Sequence, residues 1–292
     1  MQAISAEDIV RRIRAENPWW EGDHTVSPFH REMRPRPYLD LFLPLVKTRS
    51  VRRAVVLMGP RRVGKTVMIY HAIQSLLDEG VPPKSVCYFS VDHPIYNGLT
   101  LEKLLTYFHQ ASGAGYESEE VYVFFDEIQY LRNWEIHLKS LVDSHRNIKC
   151  IASGSAAAAL RLKSRESGAG RFTDFLLPPL TFYEYLHLLG KSDLADGPLS
   201  GEKPVADQDA GALLVEDLEK LEELDRSFFT TKNIEELNGQ FLRYLNFGGY
   251  PEVIFSPAIQ ADPARFIKSD IIVRIPGQGG HDSGIIPVSI TK

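Results

Sequence analysis

Signals for a membrane, an oxidising compartment or a nucleic-acid surface are scarce in this sequence. Two cysteines occur in 292 residues, Cys87 and Cys150, each inside an apolar run. That usage excludes a disulfide framework and fits buried thiols in a reducing compartment. No apolar stretch approaches the ~20 residues that span a bilayer. The N-terminus also lacks a signal-peptide core, so a cytoplasmic chain with no membrane partner is expected. Excess positive charge is missing too. A formal net charge of −5 creates no global field toward nucleic acid. The basic runs Arg11-Arg12-Ile13-Arg14 and Arg31 to Arg36 therefore read as solvated helix and loop faces. Cysteine and histidine nowhere fall at metal-ligand spacing, and no internal repeat is evident.

What is present is concentrated in one stretch. Gly59, Pro60, Arg61, Arg62, Val63, Gly64, Lys65 and Thr66 match in full the pattern G-x-x-x-x-G-K-[ST]. The strand-like run Arg53 to Met58, apolar from Ala54 on, precedes it and the helical pattern from Val67 to Leu77 follows. Strand, glycine loop and helix thus come in the order a phosphate-binding loop needs. Glycines let backbone N–H groups close on phosphate oxygens, and the helix N-terminus adds partial positive charge. Lys65 would reach the outer phosphates and the Thr66 hydroxyl would hold Mg²⁺. The loop calls for a nucleoside triphosphate with Mg²⁺ as cofactor. ATP and ADP are the ligands taken as the expectation, while the choice of ATP over GTP stays unread, since no guanine-specific motif such as Asn-Lys-x-Asp occurs.

A second segment adds chemistry. Val121 to Phe125 is a continuous apolar run followed by Asp126 and Glu127. Apolar residues on both faces suit a strand buried in a parallel sheet, whose C-terminal end is where such sheets place ligands. Asp126 is expected to hold the metal and Glu127 to orient and polarise the attacking water. If the strand ending in Ser153 neighbours this one, Ser153 or Ser155 would lie near the terminal phosphate. An N-cap for the helix Ala156–Leu162 is the competing reading. Arg171 precedes the next strand, as a finger acting on a neighbouring subunit's nucleotide or as an arginine beside a glycine cap. Trp134, Leu138, Leu141 and Val142 fall at helical spacing and read as core.

Four segments follow along the chain. Residues 1–50 form an arm, with a helix near Ala6 to Glu16 and a proline-rich stretch to Pro44. Residues 51–180 alternate strands and helices, with strands at Ala54–Met58, Ser85–Val91, Val121–Phe125, Ile148–Ser153 and Phe175–Leu177. The fold class is α/β, a doubly wound parallel sheet with flanking helices. Residues 181–275 read as a small helical lid, broken by a loop from Gly190 to Gly211, and 276–292 as a disordered tail.

These motifs together resemble the AAA+ P-loop ATPases of the AAA_14 family, which usually carry a DUF4143 domain. The matching pieces are Gly59–Thr66, Phe124 to Gln129 with Trp134, Ala152 to Ser155 and Ala169-Gly170-Arg171. Pro179 to Leu186 and Phe247 to Glu252 match as well. The resemblance implies an AAA+ core with a helical lid. It assigns ATP binding to Lys65, Mg²⁺ to Thr66 and Asp126, hydrolysis to Glu127, nucleotide sensing to Ser153 or Ser155, and a finger to Arg171. A homo-oligomer and a protein or DNA partner remain open under it, and so does a slow nucleotide-gated switch in place of a fast hydrolase. Most of the C-terminal domain usual in the family has no counterpart here, and no role of that domain is carried over.

Overall fold

The computed structural model describes residues 5–113, 120–155, 170–194 and 233–261. Five strands form one sheet: β1 (Ala54–Gly59), β2 (Val86–Ser90), β3 (Val121–Asp126), β4 (Ile148–Ser155) and β5 (Phe172–Leu176). Their order is β2-β3-β4-β1-β5, and every pairing is parallel. β1 and β3 are buried along their whole length, as strands covered on both faces must be. Helices α4 (Lys65–Asp78), α5 (Leu101–Ser112) and α6 (Trp134–Ser144) supply the cover. Trp134, Leu138, Leu141 and Val142 all point into the core, as their spacing predicts.

The chain before β1 is packed on the sheet. It folds as α1 (Ala6–Glu16), a single turn α2 (Pro28–Arg31) and α3 (Tyr38–Lys47). Ile9, Ile13, Trp19, Trp20, Val26, Phe42 and Val46 join the same core cluster as the strands. Asn17 does the most specific work. Its side-chain oxygen accepts from the Tyr88 N–H at 2.7 Å and its amide donates to the Tyr88 carbonyl at 2.9 Å. An amide side chain so occupies part of the open edge of β2, where an unpaired strand would otherwise invite another chain. Trp19 and Trp20 both donate to the Val86 carbonyl, at 3.0 and 2.8 Å. The segment expected as an arm therefore covers one edge of the sheet. The proline-rich stretch contains helix α3, with Pro44 inside it.

β5 runs from Phe172 to Leu176 and not from Phe175 to Leu177. It is an edge strand with no fully buried residue, and Thr173 and Asp174 pair with β1 although they break the apolar run. After β5 come α7 (Phe182–Leu188), α8 (Ile234–Phe247) and the short turns α9 (Pro251–Phe255) and α10 (Pro257–Ala261). Leu180, Tyr185, Leu186, Leu188, Leu194 and Ile254 make a second, smaller cluster there. The expected helix Ala156–Leu162, most of the break from Gly190 to Gly211 and the tail 276–292 lie outside the described residues.

Candidate functional site

The loop after β1 is shaped by two glycines with different jobs. A Cβ on Gly59 would sit 2.3 Å from the Leu177 carbonyl oxygen, so no larger residue fits between β1 and the chain leaving β5. Gly64 has φ +93°, a left-handed conformation that side chains resist, and this turn swings the chain into α4. Lys65 heads that helix and is buried. Its Nζ donates to the carbonyls of Gly59 (3.2 Å) and Pro60 (2.9 Å), folding the ammonium back over the loop. Burial lowers its pKa, while Glu127 and Asp126 pull the other way. The side chains of Arg61 and Arg62 are exposed at the loop tip, whereas Val63 is buried beneath it.

Topology brings the remaining groups to the same end of the sheet. β4 lies between β1 and β3 and runs on to Ser155, not only to Ser153. Asp126, the last residue of β3, and Ser153, one residue past the last β3–β4 pair, therefore lie side by side near the loop. Asp126 is buried and collects hydroxyls from three elements. Thr66 donates to its Oδ2 at 2.7 Å, Tyr88 of β2 donates to the same oxygen at 2.9 Å, and Ser153 donates to Oδ1. The serine also accepts from the Glu127 backbone N–H at 3.0 Å. Ser153 thus touches both acidic positions, while Ser155 instead donates its N–H to Gln129 at 3.2 Å.

Glu127 stands at φ 56°, a strained conformation for a residue with a side chain. Its carboxylate accepts from the Gln129 amide, whose own oxygen takes the Ser155 N–H. One glutamine therefore ties Glu127 to the end of β4. Tyr88 and Gln129 carry no role in the sequence reading. Gln129 sits in the recognised Asp-Glu-Ile-Gln run, but Tyr88 lies in an ordinary apolar strand. Behind Tyr88, Tyr70 packs at 4.8 Å between ring centres, and burial pushes its hydroxyl up to about 12. Tyr88 is shifted in the same direction, by burial and by the Asp126 charge.

Arg171 lies elsewhere. It precedes β5 at the N-terminal end of the sheet, where its carbonyl accepts from Ala54 N–H, and its side chain pairs with Asp143 at 2.5 Å. A six-residue strand β1 separates it from the loop, roughly 17–20 Å at the usual rise. It has no reach to the nucleotide site of its own chain.

The residues fit a nucleoside polyphosphate with a divalent cation. A loop turning through a left-handed Gly64 into a helix N-terminus, a buried lysine, and a carboxylate already aligned with a threonine hydroxyl make up the required donor set. Among the described residues, no group of three or more His, Cys, Asp or Glu could hold a metal alone. Ligands from phosphate and water would have to complete the shell of such an ion, which is how Mg²⁺ is usually bound.

Residues 51–186 match the family model AAA_14, described as an AAA domain. That segment is an AAA domain. It holds the five-stranded parallel sheet and the Gly59–Thr66 loop described above. An uncharacterized protein of Methanocaldococcus jannaschii is 35% identical over 140 residues, covering 47% of this chain and 28% of that protein. One of Haemophilus influenzae is 26% identical over 132 residues, covering 45% and 32%. The matched part spans less than a third of either relative. The S. cerevisiae Hsp104:casein complex covers 63% of this chain and 31% of its own, at 15% identity and TM-score 0.38. The ORC1 protein of Aeropyrum pernix, solved in complex with DNA, covers 60% and 52%, at 12% identity and TM-score 0.39.

Proposed function

We propose that the AAA domain binds ATP with Mg²⁺ and hydrolyses it. The observation that carries this is the convergence on Asp126: Thr66 from the loop helix and Ser153 from β4 both donate to a buried carboxylate beside a buried lysine. In this reading the loop N–H groups and Lys65 bind the phosphates, with Gly59 to Val63 shaping the turn. Thr66 and Asp126 hold the cation, whose charge offsets that of the phosphate oxygens. Glu127 polarises the attacking water, and Ser153 reports occupancy to the Glu127 backbone through the hydrogen bond they share. Lys65 must leave the carbonyls of Gly59 and Pro60 to reach a phosphate, so binding starts with breaking two of the loop's own hydrogen bonds. Arg171 would act only across an interface between copies of the chain.

A slower, switch-like protein is the second reading, favoured by one contact. The Glu127 carboxylate is engaged by Gln129, so turnover waits on that glutamine letting go. Steady-state phosphate release and calorimetry separate the cases. Lys65→Ala should weaken ATP at least about tenfold, or ~1.4 kcal/mol. Glu127→Gln should bind ATP near normally and lose about 10²-fold or more of its turnover. ATP binding unchanged in Lys65→Ala would overturn the site. Hydrolysis unchanged in Glu127→Gln would move the catalytic role elsewhere. The same assay with and without DNA tests a DNA-handling role. Among the described residues, no helix is long and apolar enough to cross a membrane.

A further inference from the structure

Of the basic run Arg31 to Arg36, one member is not solvated. Arg36 lies between α2 and α3 with 7% of its surface exposed. Its Nε and Nη2 donate to the two carboxylate oxygens of Glu184 at 2.7 and 2.8 Å, a two-pronged pair. The third nitrogen, Nη1, donates to the Val63 carbonyl at 2.8 Å and the Pro178 carbonyl at 3.1 Å. Val63 belongs to the phosphate-binding loop, and Glu184 to the first turn of α7. Burying an ion pair is a poor way to add stability, since apolar residues of similar volume serve as well. The geometry suggests what else the pair does.

Peptide planes fix opposite directions for neighbouring groups. No cis bond occurs among the described residues, so the carbonyl of Val63 and the N–H of Gly64 point to opposite sides of one plane. Arg36 donates to that carbonyl, so the Gly64 N–H is held pointing away from Arg36. Gly64 is the N-cap of the 14-residue helix α4, and its N–H is one of the donors a helix start leaves for an anion. We infer that Arg36 is a positioning residue for phosphate binding: it orients the Val63–Gly64 peptide and ties it to Glu184. Glu184 is itself fixed, accepting from the Thr181 N–H at 3.0 Å in a capping box that sets the start of α7. A second arginine of the same segment, Arg34, donates to the His187 carbonyl at 2.6 Å. A phosphate that shifts the Val63–Gly64 peptide therefore pulls on the helices after β5. By reciprocity, the position of those helices sets nucleotide affinity.

This inference rests on the nucleotide-binding reading above, and the test keeps the two apart. ADP binding to the full chain is measured by calorimetry beside urea unfolding, for the parent, Arg36→Lys and the double variant Arg36→Met/Glu184→Gln. The double variant leaves no unpaired buried charge, so its unfolding midpoint should stay near the parent's. Its ADP affinity should still fall about tenfold, the worth of one charge-assisted N–H to phosphate bond. Arg36→Lys keeps a cation for Glu184 but lacks the fork that reaches Val63 at the same time. It should fold like the parent, bind ADP several-fold more weakly, and show a raised KM for ATP with kcat little changed, because Glu127 is untouched. Affinity that recovers together with stability in the double variant would overturn the inference. So would an Arg36→Lys protein that binds as the parent does, and this variant decides the matter if the double variant does not fold. A parent that binds neither ADP nor ATP overturns the underlying reading and this inference with it.

Discussion

Replacing Gly59 by alanine adds one methyl group at the most crowded point of the loop. The new Cβ would lie 2.3 Å from the Leu177 carbonyl oxygen and 3.2 Å from Val63 Cγ2. Ordinary contact needs the first distance to open by about 1 Å. β1 cannot slide away, because it is hydrogen-bonded to β4 on one side and β5 on the other. The chain after β5 must move instead, and it is held by the Leu177 N–H donating to the Met58 carbonyl at 2.7 Å. Overpacking of this kind costs about 1–3 kcal/mol, and weakening that hydrogen bond adds ~0.5–1.5 kcal/mol. The sum, about 1.5–4.5 kcal/mol, corresponds to a melting temperature lower by ~3–18 °C for a domain of this size. Gly64→Ala is the control. Its Cβ meets nothing closer than Pro251 Cγ at 3.8 Å, so only the left-handed φ of +93° is penalised, by about 1–2 kcal/mol. Thermal unfolding followed by circular dichroism should rank parent, Gly64→Ala and Gly59→Ala in falling order. A Gly59→Ala protein melting within about 2 °C of the parent would refute the packing argument.

Tyr88→Phe keeps the buried ring but removes a donor to the Asp126 carboxylate, so urea unfolding should show a loss of about 1.5–3 kcal/mol, the usual worth of a hydrogen bond to a charged group. If Arg171 reaches a neighbour's nucleotide, mixing Arg171→Ala with Glu127→Gln should restore part of the phosphate-release activity that each lacks alone. Heteromers shown to form without such rescue would leave Arg171 as Asp143's partner only. Burial pushes Lys149 down to about 8 from 10.5, while its ammonium donates to the Thr48 carbonyl at 2.7 Å. Between those two pH values the unfolded chain binds more protons than the folded one, so this residue makes stability rise with pH across that window. Lys149→Met should therefore lead the parent most below pH 8, and the gap between their unfolding midpoints should narrow by about pH 10.

The sheet was legible because its inner strands are short apolar runs without alternation, the pattern of a parallel sheet covered on both faces. β5 was the exception for the same reason. At the edge it keeps only Phe172, Phe175 and Leu176 as apolar residues, and Thr173 with Asp174 falls between them, so the apolar signal marks only its second half. The segment before β1 hides its second long helix in another way. Prolines at 35, 37 and 44 suggest coil, yet Pro37 precedes the first turn of α3 and Pro44 lies inside that helix, where Phe42 and Val46 still pack into the core. Tertiary burial outweighed the local cost of that proline.

The candidate site divides along a similar line. The loop is eight consecutive residues, and local sequence sets its shape. Ser153 was readable on the condition that its strand pairs with the Asp126 strand, which the β3–β4 register satisfies. Tyr88 and Arg36 gave no such signal, because each meets its partner across a long loop of chain, 38 residues to Asp126 and 148 to Glu184. A run of arginines shows that charge is present, but not which side chain turns inward. Glu184 is better hidden still. It stands three residues after Thr181, where a capping box explains it fully, and that local explanation masks its pairing with Arg36. A carboxylate carrying both duties resists simple substitution. Glu184→Gln keeps an oxygen for the Thr181 N–H but leaves Arg36 buried without a counter-charge, so it should cost more than loss of the cap alone. The cap is worth about 1 kcal/mol, whereas breaking one side of a buried ion pair costs ~3–5 kcal/mol. Urea unfolding of Glu184→Gln beside Thr181→Ala separates the two. Equal losses would mean that Arg36 gains little from Glu184.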